Sequence, residues 1–183
     1  ILEMKEIVHE TPGTIKDSIA VQNAGIVLMS DYIKILFDRL GLLENNQFSS
    51  TENQLRAVHY LQFVVTGQSE TEEELLPLIK ILCGLHPSAP IQSGIELAPD
   101  EVELINGLIN AVINYWPAIG NTSIDGFRGN WLVRQGAVKD HEDKWELTVD
   151  KRAYDLLINK SPFNFSMIKY PWMDKVMHVN WPY

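Results

Sequence analysis

The residues able to do chemistry are few and scattered. There are five histidines, His9, His59, His86, His141 and His178, and one cysteine, Cys83. A zinc site needs Cys or His pairs at short regular spacings; none occurs here, and neither does HExxH. His59 falls in an amphipathic run and reads as a satisfied interior or boundary histidine. His141 sits in the acidic turn KDHEDK, which reads as a solvated turn because the calcium-loop pattern is absent. Cys83 stands in the apolar run LIKILCGL. A lone thiol there packs as a small hydrophobe, forms no intrachain disulfide and has no identifiable histidine to activate it.

Other chemistries fare no better. The stretch GFRG lacks the rest of a phosphate-binding loop and the strand that should precede it, and no G-x-S-x-G elbow exists. The carboxylate pairs Glu101/Glu103 and Glu142/Asp143 fall at positions that read as exposed, where nothing would tune one of them as an acid. Asn121 and Asn164 begin glycosylation sequons, a pattern that arises often by chance. Arg128 and Arg134 flank Trp131; they could make an anion or partner-contact site, and arginines snorkelling from a short helix account for them equally well. The expectation is a protein with no catalytic, cofactor-binding or metal-binding residues, and not an enzyme.

Composition sets the frame for positioning those residues. The chain has 183 residues, 45% of them apolar and 21% charged. That length fits one domain, which buries roughly 70% of its unfolded surface and needs no disulfide to fold. The net charge is −9, with only 15 Lys and Arg and no basic cluster, so nucleic acid is excluded as an expected partner. The longest apolar runs fall short of the ~20 residues that span a bilayer, and no basic-then-apolar signal peptide opens the chain.

Residues 1–20 contain Pro-Gly and no sustained period, and read as a lead-in, a strand or an extended arm; residues 21–183 read as one globular domain. Apolar spacings of three and four predict a first helix over 24–43, with Gly41 near its end. A second is expected to be capped by Ser49 with Glu52 and to stop at Gly67. A third follows SETEEELLPLIKILCGL, capped by Ser69 or Thr71, with Pro77 tolerable only in its first turn. Pro99 opens a fourth helix, which Pro117 ends. Ser123 and Asp125 open a fifth, and Asp150 could cap a short sixth over KRAYDLLINK. The period then becomes two: AVKDHEDKWELTV reads as a hairpin, and Met167–Tyr170 with Met177–Trp181 as a second strand pair. The predicted fold class is α+β, predominantly α-helical, with five to six helices and one or two small antiparallel β-hairpins toward the C-terminus.

The last twenty residues, NFSMIKYPWMDKVMHVNWPY, hold two of the five tryptophans. Such a tail reads as one face of a small sheet docked on the helices. Trp172 and Met173, at the turn tip YPWMDK, could insert into a partner or fold back into the domain's own core. A pocket for a small regulatory ligand near Trp116, Trp131 and Trp145 is the alternative functional reading.

Several stretches are similar, in order, to the tape measure protein family of contractile injection systems. They are VQNAGIVLMSDYIKILFDRLGLL, AVHYLQFVVTG, ELLPLIKILCGLHPSAPI, ELAPDEVELINGLINAVINYWPAIGNTSIDGFRGNWLVRQGAV and the closing SMIKYPWM with VNW. The similarity covers about residues 20–181. This chain departs from the family at Ser30-Asp31-Tyr32, where a bulky apolar residue and Pro are common. It departs again at Ala98, where a Thr would add a helix cap worth about 1 kcal/mol.

The resemblance implies a structural role. The chain would be the globular C-terminal anchor of a longer tape measure protein, which fits a start at Ile1, and the length-setting helical sequence would lie upstream. It implies baseplate, spike or tube proteins as partners, leaves homo-oligomerisation open and brings no cofactor. It places the protein in the bacterial cytoplasm during assembly, or in a released particle. Trp172, Met173, Arg128 and Arg134 are the candidate partner-contact residues.

Overall fold

The computed structural model describes residues 18–183; His9 and most of the expected lead-in lie outside them. The chain enters through strand β1 (Ile19–Val21), passes through a 3₁₀ segment (Ala24–Met29) and continues as helix α1 (Ser30–Arg39). A small hairpin, β2 (Leu43–Glu44) and β3 (Gln47–Phe48), precedes α2 (Thr51–Thr66), α3 (Pro77–Leu82), α4 (Pro99–Asn114) and α5 (Ile124–Phe127). The last helix widens into a π-helical turn over Arg128–Leu132. Strands β4 (Gly136–Asp140) and β5 (Lys144–Val149) follow, then a 3₁₀ segment (Ala153–Lys160), β6 (Met167–Ile168) and β7 (Val176–Asn180).

The fold is α+β, as the sequence predicts, but the strands depart from the expected small C-terminal hairpins. Both expected pairs form, β4 with β5 and β6 with β7, but they are not separate hairpins. They belong to one five-stranded mixed sheet ordered β1-β4-β5-β7-β6, in which β5 and β7 run parallel. Nor is strand structure confined to the C-terminal part. β1 pairs with β4 through Ile19–Val138 to Val21–Gly136, and β2–β3 sits between the first two helices. The physical reason lies in the two amphipathic strands. Leu147 and Val149 of β5 and Met177 of β7 are all buried, and lateral pairing turns their apolar sides to one core while joining two otherwise open edges.

Local chemistry explains the helix ends. Ser50, one residue later than the spacing suggested, caps α2 by accepting the Asn53 N–H at 3.0 Å. Ser49 instead donates to the Leu42 carbonyl and accepts from the Asn53 side chain. Gly67, at φ +72°, closes α2 in the left-handed conformation that glycine adopts without penalty. Neither Ser69 nor Thr71 caps α3. Pro77 takes its first position, where the missing N–H costs nothing, and Pro99 does the same for α4. Ser123 caps α5 through the Gly126 N–H. Asp150 caps nothing; the last 3₁₀ segment is held by Asp155, which accepts the Arg152 N–H at 2.9 Å. Asn45 and Asn46, at φ 51° and 62°, make the β2–β3 turn, because Asn is among the few side chains that accept consecutive left-handed positions.

At the centre runs Ala24–Met29, with all six residues buried. It packs against α2, the π turn and β5. The approach to the π turn is so close that a Cβ on Gly25 would lie 1.7 Å from the Trp131 carbonyl oxygen. One hydrophobic cluster joins this segment to the helices and to the inner face of the sheet.

Candidate functional site

The four candidate contact residues all lie inside the fold. Arg134 is 1% exposed and Asp155 0%. Their side chains meet at 2.6 Å, Nη1 to Oδ2. The same Oδ2 accepts the Trp181 indole N–H at 2.8 Å and the Arg152 backbone N–H at 2.9 Å. Arg134 also donates to the carbonyls of Asp150 and Asn130. Its guanidinium lies over the rings of Trp131, Tyr154 and Trp181 at 5.8, 5.7 and 5.0 Å. Burial alone would raise the Asp155 pKa. The hydrogen bonds from Arg134, Trp181 and Arg152 outweigh it and hold the carboxyl below its ordinary range. The result is a clasp that ties the chain's closing tryptophan to the π turn and to the last 3₁₀ segment.

Arg128 does a different job. Its Nε and Nη2 donate to the carbonyls of Val64 and Phe63 at 3.0 and 3.2 Å. These carbonyls lie in the last turn of α2, where the dipole favours a cation; Phe63 O also accepts the Gly67 N–H at 2.7 Å. Its guanidinium also covers the Phe63 ring at 5.4 Å. Neither arginine is an exposed anion site, and neither snorkels into solvent.

Trp172 and Met173, at 7% and 4% exposure, take the fold-back alternative. The Trp172 indole donates to the Leu82 carbonyl at 2.8 Å, and its ring packs on Phe37, Phe48 and Tyr170. Gly84 leaves the room: a Cβ there would come within 2.3 Å of the Trp172 carbonyl oxygen. Tyr170 donates its hydroxyl to the Ser30 carbonyl at 2.6 Å, and burial pushes its pKa far up. Gln47 holds the Pro171 carbonyl at 2.9 Å. The departures at Ser30 and Asp31 contact the same region, since both bond the backbone of Asn164.

The three tryptophans proposed to frame a pocket do not share one. Trp116 and Trp131 pack on each other at 4.4 Å, with Phe163 and Tyr154 closing the remaining sides. Trp145 lies elsewhere, beneath Lys175 at 4.3 Å, beside a depression of ≈ 200 Å³ shared with His86, Asp140 and Met173.

The remaining chemistry-bearing residues are dispersed. Cys83 is buried, and burial raises its pKa well above the usual thiol value. Glu101 accepts the Ala98 N–H at 2.9 Å and the Tyr60 hydroxyl, so it serves the start of α4. Burial and that carboxylate push the Tyr60 pKa up to about 12. His59 is buried and bonds the Gln92 carbonyl at 2.7 Å. Among the described residues no group of three or more His, Cys, Asp or Glu could hold a metal ion, and no helix is long and apolar enough to cross a membrane. Sequence reasoning missed Asp155 altogether. In YDLL it looks like a surface residue, and only the tryptophan 26 positions on and the arginine 21 positions back mark it as interior.

These features define an α+β domain whose buried polar groups are engaged in holding its own chain together. The family model described as "Contractile injection system tape measure protein" matches residues 2–181, and the chain belongs to that family. Neither a curated protein nor a solved structure matches it. As a component of such a system, it works together with the system's other proteins.

Proposed function

We propose that this chain is a non-enzymatic assembly module, the C-terminal anchor domain of a tape measure protein that sets inner-tube length. In this reading residues 21–183 act as one globular unit. Residues 1–20 lead into it, with Ile19 and Ala20 already part of the sheet. The module fastens the length-setting chain to a baseplate, spike or tube protein while the particle assembles in the bacterial cytoplasm, and it can stay in the released particle.

One observation carries the proposal. Strand β7 is flanked by two fixed points, Trp172 in the turn before it, bonded to Leu82, and Trp181 just after it, bonded to Asp155. An anchor must transmit load without unravelling, and a strand pinned on both sides resists being peeled from the core. Trp172, Met173, Arg128 and Arg134 serve that role from inside, by stiffening the surface a partner would meet.

The test is direct binding. A tagged chain spanning Ile1–Tyr183 is mixed with purified baseplate, spike and tube proteins of its own system, and association is measured by interferometry. Saturable binding to one of them at roughly micromolar affinity or tighter is expected. Failure to bind any of the three overturns the anchor role.

A further inference from the structure

The structure assigns a second feature to partner recognition: an acid-rimmed groove that takes a basic, extended segment of another protein by strand addition. The groove, of ≈ 550 Å³, lies between the end of α2, the start of α4 and the segments around Ser69 and Gly94. Its apolar wall is made by Phe63, Ile95, Leu97 and Val102, each half-buried in the free chain. Glu70 and Glu96 stand on its rim, both exposed.

Two independent observations choose the occupant. The first is an open main-chain edge. Segments 69–71 and 93–95 form an antiparallel bridge, with Thr71 N–H donating to Ser93 O at 2.9 Å and Ile95 N–H to Ser69 O at 3.1 Å. Peptide groups alternate sides along an extended chain, so those of Gly94 and Glu96 face away from that pairing. Among the described residues they have no hydrogen-bond partner. His59 steadies this edge from beneath, through the Gln92 carbonyl. An extended segment laid alongside would supply the missing bonds and place alternate side chains in the groove.

The second observation is charge. Arg128, whose guanidinium covers the Phe63 ring of the groove wall, is already held by the α2 carbonyls and Asp125. Among the described residues no Lys or Arg lines the groove, so Glu70 and Glu96 are left to an incoming cation. The occupant that fits alternates Lys or Arg with large apolar residues. Its partner being a protein of the particle rests on the assembly reading above. The groove itself does not, so either can fail without the other.

The experiment titrates the ¹⁵N-labelled chain with a synthetic decapeptide that alternates Lys with Leu and Phe. A second peptide has Glu for Lys, and a third has Pro at alternate positions, which removes the N–H groups. The first peptide is expected to shift the amides of Phe63, Glu70, Gly94–Leu97 and Val102 saturably, and the other two are expected to bind at least roughly tenfold more weakly. E70K/E96K, two exposed sites, should weaken the first peptide roughly tenfold or more. E142K/D143K, with the same change in charge on the β4–β5 turn, should leave it within about twofold. No saturable shift at millimolar peptide overturns the proposal. So do shifts centred elsewhere, or equal losses in both double variants, which would mean diffuse attraction to an acidic protein. Groove shifts that grow with protein concentration alone would give the face to a second copy of the chain, and overturn it too.

Discussion

The indole N–H of Trp181 and the carboxylate of Asp155, 26 positions apart, meet at 2.8 Å inside the protein. Asp155 has no exposed surface, and its charge is met by Arg134. A buried ion pair gains little net stability over an apolar equivalent, because desolvating both charges offsets their attraction. Breaking one half is a different matter.

Asp155→Ala leaves the Arg134 guanidinium buried without its counter-charge and Trp181 without its acceptor. The expected loss is about 3–5 kcal/mol of unfolding free energy, read from urea denaturation. The double change Arg134→Met with Asp155→Leu should recover more than half of it, since no charge is then stranded. A double variant as unstable as Asp155→Ala would show that packing, and not charge, sets the cost.

Trp172→Phe keeps an aromatic ring against Phe37 and Phe48 but removes the donor to the Leu82 carbonyl. We expect a loss of about 1–3 kcal/mol. Faster amide exchange should appear at the α3 end and the YPWM turn, with α4 unchanged. Uniform acceleration across the chain would mean the turn has no local autonomy.

Two glycines should respond with opposite signs. Gly25→Ala puts a methyl group into the Trp131 carbonyl, and the central 3₁₀ segment must separate from the π turn to admit it. Several kcal/mol of destabilisation is expected, on the order of 3 or more. Gly107, inside α4, has nothing within 4 Å of a would-be Cβ. Gly107→Ala should stabilise by about 0.5–1 kcal/mol through helix propensity. Thermal melts of both variants check the pair.

His59 gives the protein a pH dependence of defined sign. Burial lowers its pKa below the ordinary 6.5; the bond to Gln92 works the other way, and nearby Lys80 adds to the lowering. The unfolded chain therefore takes up the proton first as pH falls. Stability is full above pH 6.5 and declines below it, until the folded state's own pKa is passed. His59→Gln should flatten that part of the profile. Asp155, whose folded pKa lies below the ordinary 3.8, adds a second decline in more acid solution. A profile flat from pH 7 to pH 5 in the unsubstituted chain would contradict the His59 account.

Much of the helical layer was legible in the sequence because its signals are local. Ile105, Ile109 and Val112, which follow one another at steps of four and three, are interior, and Pro77 and Pro99 stand at first helical positions. The strand pairs were legible for the same reason. The parallel match of β5 to β7 was not, because a period of two fixes which side of a strand is apolar but not which strand lies beside it. Nor was the π turn: Phe127 and Trp131 are both buried, and a spacing of four does not tell an α turn from a wider one. The arginines were flagged, but their partners were hidden: Arg128 bonds carbonyls 64 and 65 positions back. Ser50 capping in place of Ser49 shows the limit of spacing rules, since both serines suit the role and the Leu42 carbonyl claims Ser49.

The central claim, that this domain anchors a length-setting chain without catalysis, is tested most directly by excising residues 21–183 from the full-length protein in an otherwise intact injection system and measuring tube lengths by electron microscopy. The account predicts that particles are lost or that their tubes vary widely in length, and that restoring the domain in trans does not rescue them, because an anchor must be joined to what it holds. Particles of normal number and uniform length would contradict it.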